Sequence, residues 1–200
     1  MARVRDIGID EVPQDARETY ERFAMDYGPF MNQVRVFAHR PPALRHIMGL
    51  LLELADEQLL PKRYLEIVLV VVSKLNECAY CVAHHTPRLV AQGLEPEMVA
   101  KILDDDCPGL DAVDRLVRDY AIDVTTRPQY MRDAVFAEMK KHFSEEQIVE
   151  LTLRITLCGF FNRFNDALQI GMEDGVVEDM LAMGSSEDEL PVHDRAEDAA

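Results

Sequence analysis

The fold is decided by residues 61–94, which read PKRYLEIVLVVVSKLNECAYCVAHHTPRLVAQGL. The first half of this stretch is apolar nearly all round, which fits either a buried helix or a buried strand. Pro61 favours a helix, because its missing N–H would be unpaired in the first turn of a helix anyway. No partner strands are evident elsewhere in the sequence. We therefore predict a helix from about Lys62 to about Asn76.

The second half of the stretch brings cysteines and histidines together. After a short break near residues 76 and 77, we predict a second helix from Cys78 to residue 92, closed by Gly93. At about 100° per residue, Cys78, Cys81 and His85 fall within roughly 60° of one another. They form one stripe, and His84 borders it. The sequence thus places two thiols and a base on the same side of a helix.

The beginning of this second helix favours thiol chemistry. Two sulfurs three residues apart on a first turn can reach disulfide distance. The positive end of the helix dipole favours a thiolate, most strongly at Cys78. His85 lies one turn beyond Cys81, where it can exchange a proton with that thiol. A redox dithiol needs this combination of a stabilised thiolate, a resolving thiol and a base.

Glu66 is the charged residue within the apolar first helix, and its position allows two interpretations. A carboxylate is costly to bury without a partner, and a nearby imidazole would supply one. Alternatively, Glu66 faces solvent in the first turn, where the helix dipole favours acidic residues. The sequence leaves both open.

Helical patterns continue along the rest of the chain. We predict helices near 14–26, 43–60, 96–103, 110–124, 129–142, 144–168 and 176–183. Ser144 and Gln147 have the spacing of a capping box, which marks the start of the long helix. We expect an all-α fold of about eight to ten helices in a single domain over 1-183, with the thiol site at 62-93.

Charge and composition limit the partners of the protein. Of its 200 residues, 48% are apolar and 29% are charged, which is typical of a globular protein. The net charge of −16 argues against nucleic acid or an anionic membrane as partner, because both would repel it. The longest apolar run, Ile67 to Val72, is far too short to span a bilayer. We expect residues 184-200 to form an acidic, solvated and disordered tail.

The four cysteines are too few for a disulfide scaffold in a chain of this size. The first residues lack the apolar stretch of a signal peptide, so we expect a cytoplasmic protein. In that compartment a close cysteine pair is more often catalytic or metal-binding than structural. A zinc site of Cys78, Cys81, His85 and Glu66 is one alternative, although ligands on one stripe of a helix would surround only part of the metal ion. We predict no resident metal and no cofactor.

Glu66, Cys78, Cys81 and His85, in that order and spacing, resemble the thiol site of the alkylhydroperoxidase D-like group. That group belongs to the carboxymuconolactone decarboxylase superfamily. The resemblance covers residues 41 to 103, and it extends to 144–171, where GFFNRFNDAL is similar to a stretch of the peroxidase-related branch. A CxxC pair alone is weak evidence for this group of proteins. The longer pattern Glu-x11-Cys-x2-Cys-x3-His in an all-α chain is fairly specific for it.

The resemblance implies a role for each site residue. Cys81 would be the thiol oxidised by peroxide to a sulfenic acid, and Cys78 would resolve it to a disulfide. His85 and Glu66 would form the proton relay, and a dithiol reductant would reset the pair. One position departs from the pattern, because Tyr80 stands where a peroxidase of the family can carry a histidine.

The resemblance therefore implies an enzyme, a thiol-dependent peroxidase of the alkyl hydroperoxide reductase type acting on organic or hydrogen peroxides. Alternatives are a carboxymuconolactone decarboxylase-like non-redox enzyme and a dithiol that senses redox state without turnover. The family also implies a homo-oligomer, either dimer, trimer or hexamer.

Outside the stripe, we expect Cys158 to be a buried core thiol. Asn162, Arg163 and Asn165 either line a pocket or face an interface or solvent.

Overall fold

The structure, a computed structural model, describes residues 2–25 and 30–182. All regular structure in these ranges is helical, and this confirms the predicted all-α fold. Short 3-10 helices span Ile9–Glu11 and Pro128–Tyr130, and a π-helix spans Leu44–Met48. The α-helices are α1 (Gln14–Met25), α2 (Met31–Phe37), α3 (Pro41–Ala43), α4 (Gly49–Glu57), α5 (Lys62–Leu75), α6 (Ala79–Val90), α7 (Pro96–Ala100), α8 (Ala112–Thr126), α9 (Asp133–His142), α10 (Glu145–Leu168) and α11 (Val176–Ala182).

The chain divides into two compact units, one of residues 1–59 with 165–200 and the other of residues 60–164. The long helix α10 supplies residues to both. A single domain over 1-183 stays a prediction, and the predicted acidic tail at 184-200 lies outside the described residues.

In the unit of residues 60–164, α5 is the central helix. Every residue from Glu66 to Ser73 is buried, so this helix has no solvent-exposed face over that length. It packs against α6 and α8. Burial on all sides explains why the apolar run shows no clear period in the sequence, and the structure confirms the helical alternative over the strand.

An ion pair fixes the first turn of α5. The Arg63 guanidinium donates to both carboxylate oxygens of Asp114, at 2.6 Å from Nη2 to Oδ2 and 2.9 Å from Nε to Oδ1. The same side chain also donates to the carbonyl of Gln92, which follows α6. Asp114 is completely buried, and Arg63 neutralises its charge. Through Arg63, the start of α5 is therefore joined to the end of α6 and to the start of α8.

The unit that contains the amino-terminal helices has its own core. Helix α1 packs against α2, α4 and the π-helix. Pro41 and Pro42 occupy the first positions of α3, where a proline costs no hydrogen bond. Within the same unit, Gln33 donates to the Asn165 side chain at 2.9 Å. None of the described helices combines the length and the apolar character needed to cross a membrane.

The start of α10 carries the predicted capping box. The Gln147 N–H donates to the Ser144 hydroxyl at 3.2 Å, and the Ser144 N–H donates to the Gln147 side chain at 3.0 Å. We expect Ser144→Ala to lower the free energy of unfolding by about 1 kcal/mol, because one helix N–H loses its acceptor. Urea unfolding would measure this, and Ser144→Asp, which keeps an acceptor, should retain most of the stability. An equal loss in both variants would contradict this role for the cap.

Candidate functional site

The two helices of the deciding stretch meet at a junction made of backbone hydrogen bonds. The Glu77 N–H donates to the carbonyl of Lys74, and the Cys78 N–H donates to the carbonyl of Ser73. Glu77 has a φ of 56°, in the left-handed region. These features define a Schellman motif that ends α5. Its last residue, Cys78, is also the N-cap of α6, so the end of one helix positions the first thiol at the start of the next.

The structure brings the two predicted thiols together. Cys78 and Cys81 are both buried and both in the free thiol form. A hydrogen bond with the Cys78 side chain is the main reason that the pKa of Cys81 is raised well above its ordinary value, and burial adds to it. Cys81 therefore holds its proton at neutral pH, and it needs a base before it can act as a nucleophile.

A side chain that can act as a base, His85, lies one turn along the same helix. The Nδ1 atom of His85 lies 2.9 Å from Oε2 of Glu66, and both side chains are buried. Of the two interpretations of Glu66, the structure thus shows the one with an imidazole partner. Arg88 adds a more distant cation, at 3.9 Å from the other carboxylate oxygen. If Nδ1 donates its proton to Glu66, Nε2 carries the lone pair that can accept another.

Burial sets the protonation state of His85. Desolvation lowers the pKa of the imidazole below its usual value, and the Glu66 carboxylate opposes this shift without cancelling it. At neutral pH His85 is consequently a neutral imidazole, which is the form that accepts a proton. The direction of the shift agrees with a general base, whereas a charged imidazolium could only donate.

His84 and Tyr80 have a different environment from the stripe. The His84 Nδ1 atom lies 2.6 Å from the Tyr80 carbonyl oxygen. The two rings pack against each other, with centroids 4.2 Å apart. Both side chains are buried. His84 is thus held by its own helix, and Tyr80 fills its position as part of the packing of α6.

A third thiol, Cys158, lies close to the site, and its polar neighbours were not predicted from the sequence. Cys158 is buried, as predicted, and its Sγ lies 3.5 Å from the Ser73 hydroxyl. Asn162, on the next turn of α10, is completely buried rather than facing solvent. Its side chain hydrogen-bonds Cys81 and lowers the pKa of that thiol, against the stronger effects that raise it. The signal in the sequence was an amide within the apolar run CGFFNRF.

Cys158 itself is not activated. Burial raises the pKa of Cys158 to about 12, and hydrogen bonds with Ser73 and Asn162 only partly oppose this. It remains a thiol at every physiological pH. Within residues 2–25 and 30–182, no three His, Cys, Asp or Glu side chains are grouped so that they could hold a metal ion.

The hydrogen bond between the two thiols gives a measurable prediction. We expect Cys81 to be alkylated by iodoacetamide with a pH midpoint above 9, since its pKa is raised above that ordinary value. In Cys78→Ala the midpoint should fall, because the largest cause of the shift is removed. Mass spectrometry of the Cys81 peptide across a pH series reports both values. An unchanged midpoint in the variant would show that Cys78 does not control the ionisation of Cys81.

Comparison with known proteins gives a match over the segment that contains this site. Residues 41–108 match the model of the carboxymuconolactone decarboxylase family, a segment that includes Glu66, both stripe cysteines and His85. A search of curated proteins finds no match.

Several solved structures share the fold. A peroxidase-related protein with an alkylhydroperoxidase AhpD core, from Ralstonia eutropha JMP134, superimposes with a TM-score of 0.72 at 21% identity, over 88% of this chain and 94% of that chain. A peroxidase-related protein from Silicibacter sp. TM1040 gives 0.69 at 20% identity, over 85% and 91%. The debrominase Bmp8, in complex with 2,3,4-tribromopyrrole, gives 0.70 at 17% identity, over 90% and 96%. Residues 41–108 are thus similar to the carboxymuconolactone decarboxylase family, and the chain shares its fold with a protein that has an alkylhydroperoxidase AhpD core.

Proposed function

We propose that the protein is a thiol-dependent peroxidase that reduces organic hydroperoxides or hydrogen peroxide through Cys81 and Cys78. The observation that carries this proposal is the buried His85–Glu66 hydrogen bond of 2.9 Å, one helical turn from a thiol that needs a base. A thiol with a purely structural role does not need a neutral, oriented imidazole one helical turn away. A peroxidatic thiol does, because only its thiolate attacks peroxide.

The first half of the cycle is peroxide reduction. His85 accepts the proton of Cys81, and the resulting thiolate attacks the terminal oxygen of the hydroperoxide. The O–O bond breaks, and the alkoxide leaves as an alcohol with the proton that His85 returns. Cys81 is left as a sulfenic acid, having lost two electrons to the peroxide. Glu66 stabilises the imidazolium that exists between the two proton transfers.

The second half restores the thiols. Cys78, already hydrogen-bonded to Cys81, attacks the sulfenic sulfur, and water leaves as the disulfide forms. An external dithiol then attacks that disulfide and is itself oxidised, returning two electrons and two protons. A small-molecule peroxide and a dithiol reductant are thus the two partners that the proposal requires, and the site needs no cofactor.

Thiol counting and turnover test this proposal on the purified full chain. One equivalent of cumene hydroperoxide should reduce the free thiols from four to about two per chain, and dithiothreitol should restore them. With dithiothreitol present, peroxide should disappear over many turnovers. Thiols that do not react with peroxide would overturn the proposal. Oxidation without turnover would instead support the redox-sensor alternative.

A second candidate is reductive dehalogenation of a halogenated aromatic. It is favoured by the fold shared with the debrominase Bmp8, for which a cysteine-to-alanine variant holds tribromopyrrole. The same dithiol could supply the electrons, since an aryl bromide and two thiols give the arene, hydrogen bromide and a disulfide. Bromide release from a bromopyrrole, measured beside peroxide consumption, separates the two. Bromide release without peroxide turnover would favour the second candidate.

We also propose a cytoplasmic homo-oligomer. Val149 and Phe160 are exposed apolar side chains on one face of α10, and such a face is suited to contact with another copy. Static light scattering of the full chain would give its mass in solution. A mass equal to one chain would contradict this part of the proposal.

A further inference from the structure

Arg88 is a charged residue beside the proton relay, and the proposed cycle gives it no role. It follows His85 by three residues in α6, so the two side chains leave the helix on the same side. Its Nη1 atom lies 3.9 Å from Oε1 of Glu66, whereas Nδ1 of His85 lies 2.9 Å from Oε2. One carboxylate therefore has an imidazole at one oxygen and a guanidinium near the other.

The three side chains differ in their exposure to solvent. Those of Glu66 and His85 are each 9% exposed, whereas that of Arg88 is 26% exposed. The guanidinium thus keeps part of its hydration, while its charge acts on a carboxylate that has lost almost all of its own. A separation of 3.9 Å is an ion-pair distance and is too long for a hydrogen bond. Arg88 therefore acts on Glu66 through its charge.

A buried carboxylate needs positive charge nearby, and the nature of that charge decides the state of the relay. If His85 were its sole counter-charge, burial would favour a proton on the pair, as imidazolium or as carboxylic acid. The pair could then not accept the proton of Cys81. An arginine is charged at every physiological pH. Arg88 can consequently balance Glu66 while the imidazole stays neutral.

The helices that pack against α6 bring no competing charge to the imidazole. These helices are α5 and α7, and their remaining charged residues are exposed or have other partners: Lys62, Arg63, Lys74 and Glu97. On α10, Glu150 and Arg154 are buried and pair with each other at 3.2 Å. On α6 itself, His84 lies against a backbone carbonyl. Among the described residues of these helices, Glu66 and Arg88 are thus the charges that face His85.

We propose that Arg88 is a positioning residue of the relay, which balances the charge of Glu66 so that His85 remains a neutral base. The inference rests on the proposed function, in which His85 accepts the proton of Cys81. The electrostatic directions support it, because Arg88 lowers the pKa of His85 and Glu66 raises it. The same repulsion keeps the imidazolium short-lived, which favours return of its proton to the leaving alkoxide.

A purely structural Arg88 makes a different prediction, because its loss would change stability and leave the protonation of His85 unchanged. The experiment titrates the Cε1 proton signal of His85 by NMR in the reduced full chain, with the signal assigned by its absence from His85→Gln. For Arg88→Met we expect the midpoint to rise by about one pH unit, since loss of the cation favours the protonated pair. Arg88→Lys keeps the charge and should stay near the wild-type midpoint.

The matched control is Arg45→Met. Arg45 is also a half-buried arginine, with a side chain that is 30% exposed, and it pairs with Asp15 at 2.9 Å. This pair includes neither residue of the relay, so its loss should leave the His85 midpoint unchanged. As a second readout, the acidic limb of sulfenic acid formation should move upward in Arg88→Met by the same amount, which is about a tenfold slower reaction at a fixed pH below both midpoints.

An unchanged or lower midpoint in Arg88→Met, the same rise in Arg88→Lys, or an equal rise in Arg45→Met would overturn the inference. If Arg88→Met fails to fold, as judged by circular dichroism, Arg88→Gln replaces it under the same criteria. The outcome is separable from the proposed function, because the titration needs neither peroxide nor turnover. A wild-type chain without peroxide turnover whose Arg88→Met variant shows the rise would refute the peroxidase and keep the charge balance.

Discussion

Replacing Cys81 with serine should abolish peroxide reduction, by at least about a thousandfold in kcat/KM, because a serine hydroxyl forms no useful nucleophile at neutral pH. Sulfenic acid should also be lost. Labelling with dimedone after a pulse of hydrogen peroxide would show this directly, with the adduct present in the wild-type chain and absent in Cys81→Ser. The fold should be retained, since serine is nearly isosteric with cysteine.

Cys78→Ser is the matched variant for this measurement. It should keep the dimedone adduct at Cys81, and accumulate it, because the resolving thiol is missing. Steady-state turnover should be lost in both variants. Because Cys81 holds its proton strongly, the comparison of the two variants is also the test of which thiol reacts first. An adduct that survives in Cys81→Ser and disappears in Cys78→Ser would reverse the two assignments.

Replacing His85 with glutamine should lower the rate of sulfenic acid formation by about 10²- to 10⁴-fold, which is the usual contribution of a general base. Glutamine keeps a hydrogen bond to Glu66 and so limits the cost of leaving that carboxylate alone in a buried position. Wild-type activity should fall as the pH drops below the pKa of His85, which lies below its usual 6.5, because the imidazole then takes a proton from solvent. This acidic limb should vanish in His85→Gln.

His84→Gln provides the control for His85→Gln. It is the neighbouring buried histidine, and its hydrogen bond goes to a backbone carbonyl instead of Glu66. Stopped-flow measurement of the first oxidation should show nearly wild-type rates for His84→Gln. Equal losses in the two variants would indicate a packing effect, and the relay through His85 would then be wrong.

The sequence allowed the order of helices and the content of the stripe to be predicted, because these depend on local signals. Ser144 with Gln147 marks a helix start through contacts three residues apart, and the structure shows both bonds. Cys81 and His85 are related by one helical turn, which fixes their proximity without any knowledge of tertiary structure. Pro61 favoured a helix for α5, because its missing N–H costs no hydrogen bond at a helix start.

The environment of Glu66 and of Asn162 could not be predicted in the same way. Because α5 is buried on all sides, its sequence has no polar face from which the direction of Glu66 could be read. The pairing with His85 depends on how α6 folds back on α5 at the junction. The sequence indicates only a break at that junction. Glycine is the usual sequence signal for a left-handed residue that ends a helix, and here the left-handed residue is Glu77.

The contacts of Asn162 could not be predicted for a related reason. A single amide in an apolar helix indicates a special position, but its partners come from α5 and α6, which are distant in sequence. Cys158 likewise was correctly expected to be buried, while its contact with Ser73 depends on the packing of α10 against α5. Hydrophobic periodicity predicts which residues are inside, and it carries no information about which polar groups meet there.

The helix junction also bears on the proposed redox cycle. Both peptide groups of Cys78 are engaged, since its N–H closes α5 and its carbonyl accepts from Val82 in α6. The main chain at this residue is consequently fixed from both directions, and the side-chain torsion is what remains free. In the proposed cycle, the Cys78 side chain would therefore reach Cys81 by rotation about its Cα–Cβ bond, with the main chain held in place. We expect the reductant of the proposed cycle to meet a backbone at this junction that is the same before and after oxidation, because the two helices hold it from both sides.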